Sequence, residues 1–235
     1  FKSGADHIRL VFLTGVSRFA HLSVFSDLNN IQDISFDDEY AAICGITEEE
    51  LLANFDAGID SIAAKYRKDR EQIVEKLRTY YDGYRFSDEE TYIYNPYSLL
   101  SVMQKRKFRN YWIASGTPSL LLKQMKKFDV DLESLLHTHC GQDGLSGLDL
   151  DNPNPVALFF QTGYLTIKDY DFDTDIYTLG LPNEEVKAGF MEYLLPRYLN
   201  TGAKDTPFLV SEFVREFREG DVEDLCAACR ASSPP

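Results

Sequence analysis

Thr14, Ser17 and Arg18 stand directly after the first apolar run of the chain, Ile8 to Leu13, within the phrase TGVSRF. Two hydroxyls and a guanidinium at a strand end are the groups that sense a terminal phosphate, orient an attacking water and neutralise charge in phosphoryl transfer. A nearly unbroken apolar run suits a strand of a parallel sheet covered on both faces. In open α/β sheets ligands bind beyond the carboxyl ends of such strands. The competing reading is plainer: TGVS is a turn leaving a strand, and Arg18 is a surface charge.

A second group is Lys105, Arg106, Lys107 and Arg109, followed closely by Tyr111 and Trp112 in KRKFRNYW. Cations at this spacing can grip a phosphate backbone while an aromatic ring stacks on bases, although Trp112 is equally suited to a core. The formal charge of −14 argues against attraction of nucleic acid to the whole surface, but the average conceals a division. Residues 65–127 hold 14 Lys/Arg against 7 Asp/Glu, and the remainder holds 10 against 31. A basic middle between acidic flanks points to nucleic acid as a partner; solvated helices docking on the acidic parts are the alternative.

Cys226-x-x-Cys229 with His137, His139 and Cys140 could supply zinc ligands, but zinc needs four converging groups. The cysteine pair falls on a predicted helix and no second CxxC exists, so no metal site is expected. Asp171, Asp173 and Asp175 imitate the start of a calcium loop. Ile176 stands where that loop needs glycine and Pro182 where it needs glutamate, so a solvated hairpin turn is expected instead. Four cysteines in 235 residues are too few for a disulfide scaffold and agree with a reducing cytoplasm. No apolar run approaches the roughly 20 residues that span a bilayer.

Several elements must position these groups. Thr47 with Glu50 forms a capping box that opens a helix through Leu51, Leu52 and Phe55. Ile73, Val74, Leu77, Tyr80 and Tyr81 form a helical stripe over 69–81 that stops at Gly83. Tyr84 to Phe86 and Thr91 to Tyr94 read as two short strands, and Asn95-Pro96 opens a further helix. Thr117-Pro118 repeats that signal. A Gly, Asp, Asn and Pro-rich stretch between Asp129 and Asn154 reads as loop. Val156 to Gln161 is a short helix or strand, Tyr164 to Asp169 pairs with Ile176 to Leu181 as a hairpin, and Asn183 caps a helix running to about Leu199. Two helices follow, Phe208 to Arg218 and Val222 to Arg230.

Taken in order, TGVSRF, DLNNIQDIS, FDDEYAAICGITEEEL, YYDGYRF, YNPYSLL, YWIASGTPS, FQTGYLTI and LPNEEV resemble the bacterial AAA-ATPase-like proteins. The resemblance runs from about Phe12 to the helix after Asn183. It implies a P-loop ATPase-like domain, usually followed by a restriction-endonuclease-like nuclease domain. The implied fold is α/β and mostly α: the end of a P-loop-type parallel sheet in 1–46, a helical, winged-helix-like extension in 47–140, and a hairpin with helices leading towards a nuclease-like domain in 141–235. ATP and Mg²⁺ are implied for the whole protein. A phosphate-cradling turn ends in Gly-Lys-Ser/Thr, and no Gly-Lys pair occurs here. The chain, opening at Phe1 and closing at Pro235 without a nuclease motif, is read as an internal fragment that lacks ATPase activity alone and needs no cofactor.

Overall fold

The computed structural model describes residues 9–15, 32–112, 135, 138–146 and 154–190. The helical part comes first. Glu50 N–H donates to Thr47 Oγ1 at 3.2 Å and Thr47 N–H to Glu50 Oε2 at 2.9 Å, so the capping box opens α1, Glu48–Asn54. Helix α2, Asp56–Tyr66, follows after Phe55 alone and ends at Arg67. Helix α3, Arg70–Tyr81, starts after Asp69, whose N–H donates to Gln72 Oε1. Helix α4, Pro96–Lys105, is opened by Asn95, whose side chain accepts the Ser98 N–H at 3.2 Å.

These helices close on Leu51, Ile59, Ile62, Ile73, Leu77, Leu99 and Val102, with the ring of Tyr81 among them. Each such aliphatic side chain contributes about 1.5–3 kcal/mol by leaving water. Ile73 and Leu77 are spaced i, i+4, which puts both on the same face of α3.

A second core lies against a three-stranded antiparallel sheet of order β1-β3-β2. Strand β1 is His139–Cys140, β2 is Thr166–Asp171 and β3 is Ile176–Gly180. Between β1 and β2 the described residues form two short helices, α5 (Gln142–Ser146) and α6 (Pro155–Gln161), the latter capped by Asn154. Helix α7, Glu184–Gly189, is capped by Asn183, whose Oδ1 accepts the Val186 N–H at 3.1 Å. The acidic turn between β2 and β3 is held by Asp171, whose Oδ1 accepts the N–H groups of Asp173 and Thr174. It is a hydrogen-bonded hairpin turn.

The molecule is therefore mixed α/β, but every strand pairing among the described residues is antiparallel. The parallel-sheet strand expected over Ile8 to Leu13 is a correction. Leu10 is 84% and Phe12 57% exposed, and residues 10–15 form no strand; Ile8 lies outside the described residues. An apolar run becomes a central strand only when other strands and helices cover it, and here none of the described elements does. The two short strands expected around Ser87 to Glu90 contract to single bridges, Tyr84 with Ile93 and Ile46 with Tyr94. Helix α4 begins two residues after Tyr94 and leaves no length for a longer pairing.

The two cores meet at a polar seam. Gly83 adopts φ +94, and a Cβ there would stand 2.4 Å from the carbonyl oxygen of Pro182. Beside it Asn183 Nδ2 donates to the Asp82 carbonyl at 2.8 Å. The Thr166 hydroxyl accepts from Arg85 N–H at 2.7 Å and donates back to the Arg85 carbonyl at 3.1 Å. The Trp112 N–H donates to Glu185 Oε1 at 2.8 Å.

Candidate nucleic-acid interface

The basic residues of the middle segment come from three elements that packing brings to one end of the helical part. Helix α2 ends with Lys65, Arg67 and Lys68; α4 ends with Lys105, Arg106 and Lys107; α3 contributes Lys76. Both Arg67 (φ 53) and Arg106 (φ 52) are left-handed, so each chain turns sharply away as its helix stops. Lys65 Nζ donates to the Arg106 carbonyl at 2.5 Å and ties the two helix ends together.

The loop after α4 is fixed by tyrosines. The buried Tyr81 hydroxyl donates to the Arg109 carbonyl and accepts the Arg109 N–H, each at 3.0 Å. Tyr111 Oη donates to the Lys107 carbonyl. Phe108 stacks on Tyr81 with centroids 6.0 Å apart and planes 6° from parallel, and meets the edge of Tyr80 at 5.8 Å. Cations cover the remaining ring faces: Lys76 Nζ lies 4.9 Å from the Phe108 centroid and Lys105 Nζ 4.7 Å from that of Tyr111.

Charge is segregated along α3. Arg70 is paired with Asp56 and, at 2.8 Å, with Asp60; Arg78 is paired with Glu75 and Glu48. The Arg78 guanidinium beside Glu48 holds that carboxyl below its ordinary value. By contrast, none of the eight rim cations, Arg109 included, has an ion-pair partner among the described residues. The helix ends explain only a little of this charge, since each terminus carries about half a negative charge. Two termini offset roughly one of the eight positive charges. Distant acids are screened beyond about 10 Å at 0.1 M salt, so the rim presents a local positive field despite the acidity of the whole chain.

The four cations expected from sequence, Lys105, Arg106, Lys107 and Arg109, are all exposed and contiguous on this rim. Sequence reasoning left out Lys65, Lys68, Arg67 and Lys76, which join them only through the α2–α4 contact. The signal available was their position in the same basic segment. Of the aromatics, Tyr111 is buried, and Trp112 packs on Tyr164 with centroids 5.1 Å apart. Thr14 lies on the exposed stretch 10–15, while Ser17 and Arg18 fall outside the described residues. With no Gly-Lys pair in the chain and Thr14 on an exposed, irregular stretch, the described residues do not form a nucleotide cradle. Cys140 pairs with Tyr177 across the sheet, and burial pushes its thiol up. His137, Cys226 and Cys229 are outside the described residues. No helix among the described residues is long and apolar enough to cross a membrane.

A protein of Azotobacter chroococcum mcd 1, described as "Uncharacterized protein in vnfD 5'region", is 39% identical over 203 residues, covering 84% of this chain. The match spans 36% of that relative, so the chain corresponds to about a third of its length. No family model matches the chain, and no solved structure matches it.

Proposed function

We propose that this chain is part of an AAA-ATPase-like protein and serves there as a nucleic-acid-binding element. Its basic rim engages the phosphate backbone. The observation that carries the reading is the set of eight cations without an ion-pair partner among the described residues, beside two arginines, Arg70 and Arg78, that are engaged by acids. Under this reading ATP and Mg²⁺ chemistry and a nuclease domain belong to the longer protein, which works in the cytoplasm. The ordered phrases shared with AAA-ATPase-like proteins and a relative much longer than the matched segment support that division. Thr14, Ser17 and Arg18 remain the proposed phosphate-sensing contribution of this chain.

Fluorescence anisotropy with a labelled 20-nucleotide DNA between 50 and 200 mM salt tests the rim. Replacing Lys105, Arg106, Lys107 and Arg109 by alanine should lower the salt slope by about 3, since each single-strand phosphate contact contributes about 0.7. An unchanged slope would leave an acidic protein as the partner. In the full-length protein, Arg18→Ala should abolish ATP hydrolysis; undiminished turnover would remove Arg18 from the nucleotide site.

A further inference from the structure

The rim carries one aromatic side chain that stays more than a third exposed, Tyr66. Phe108 is closed on one face by Tyr81 and covered by Lys76. Tyr80 lies against Tyr81 and Phe108 with Lys76 Nζ 5.4 Å from its centroid. Tyr111 is buried, and Trp112 belongs to the sheet core. Tyr66, the last residue of α2, is different. It is 41% exposed and leans on Phe108 at a centroid distance of 5.9 Å with planes tilted by 58°; Lys65 Nζ, tied to the Arg106 carbonyl, stands 5.8 Å from its centroid, the longest of the cation–ring contacts here, so a base stacking on the ring displaces the weakest of them. It lies between Lys65 and the left-handed Arg67.

We propose that the rim binds single-stranded nucleic acid, with a base stacked on Tyr66 and the flanking phosphates held by Lys65, Arg67 and Lys107. This deepens the reading of the rim as a nucleic-acid interface and rests on it. In a duplex the base faces are occupied by neighbouring bases, so an exposed ring adds nothing to backbone contact. In a single strand each base offers a free face, and a base–aromatic stack strengthens binding whatever the sequence. A flexible strand also fits a short rim better than a rigid duplex. The acids elsewhere on the chain repel a long stiff duplex over its whole length, whereas a strand can follow the basic path alone.

The test compares a labelled dT20 strand with a 20-base-pair duplex on the 235-residue chain at 50 mM salt, using the ratio of the two affinities. Tyr66→Ala should reduce the strand-to-duplex ratio about tenfold, within the range that one stacked base contributes. Tyr66→Phe, which keeps the ring, should hold the ratio at the wild-type value. A wild-type chain that prefers duplex, or a ratio unmoved by Tyr66→Ala while the four-alanine rim variant loses affinity for both ligands, overturns the stacking proposal and leaves the interface standing. If the rim variant and wild type bind both ligands equally, the interface itself is wrong. Matching far-ultraviolet circular dichroism of each variant excludes unfolding as the cause.

Discussion

Glu185 accepts the backbone N–H of Trp112 at 2.8 Å across 73 residues of chain, which pins the start of α7 to the segment leaving the basic rim. The carboxylate is fully buried, and its Oε2 has no hydrogen-bond partner among the described residues. Burial pushes its carboxyl above the ordinary value of 4.5, opposed by the nearby Ser98 hydroxyl and the backbone N–H groups. The titratable groups that feel its charge are the hydroxyls of Tyr81, Tyr84 and Tyr111.

The sign of the resulting pH dependence follows from that direction. The folded protein holds the Glu185 proton more tightly than the unfolded chain, so this stabilisation is whole below about pH 4.5 and is lost as pH rises through the folded-state value. Glu185→Gln preserves the shape and the acceptor for Trp112 and cannot ionise. Its melting temperature should gain on wild type by at least about 2 °C between pH 5 and pH 8. Thermal unfolding across that range would refute the assignment if the two curves stayed parallel.

Tyr81→Phe removes one hydroxyl that serves both backbone groups of Arg109. Leaving the Arg109 N–H without its partner should destabilise by about 1–3 kcal/mol. The same change frees the loop carrying Lys107 and Arg109, so DNA affinity should fall although no charge is removed. Denaturant unfolding and anisotropy on the same sample check both effects.

Arg106→Gly should move two readouts in opposite directions. A left-handed conformation costs a residue with a Cβ about 1–2 kcal/mol relative to glycine, partly offset by the greater freedom of unfolded glycine. Stability should therefore rise slightly or hold, while loss of the cation weakens DNA binding and its salt dependence. A large loss of stability would mean that the Arg106 side chain supports the fold.

Gly83→Ala has no such compensation. At φ +94 an added Cβ is strained by backbone alone, and it would meet the Pro182 carbonyl at 2.4 Å. The expected loss is about 1–3 kcal/mol, measured by urea unfolding, whereas Gly141→Ala, whose nearest neighbour would be 3.8 Å away, should cost less.

Much of this architecture was legible because local chemistry and tertiary packing agree. Thr47 with Glu50, Asn95 with Pro96, and Asn183 each cap a helix where the sequence places them. The stripe Ile73, Leu77 and Tyr81 is the buried face of α3. The alternating residues around Asp171 to Asp175 form the β2–β3 hairpin. What local pattern missed depends on distant partners. His139–Cys140 reads as loop and becomes a strand only because β3 offers it an open edge. Helix α2 has a weaker apolar stripe and was not anticipated as a separate element; Ile59 and Ile62 find their burial against the neighbouring helices. Leu10 to Leu13 failed in the other direction, since composition cannot say whether covering layers exist. For the interface, the cations were visible as a run, but that none of them has an ion-pair partner among the described residues, while Arg70 and Arg78 each have two, depends on tertiary placement.

The tight approach of Gly83 to Pro182 has a mechanical consequence. Any side chain at position 83 would have to push the two backbones apart, so the join between the helical part and the sheet part accepts glycine alone.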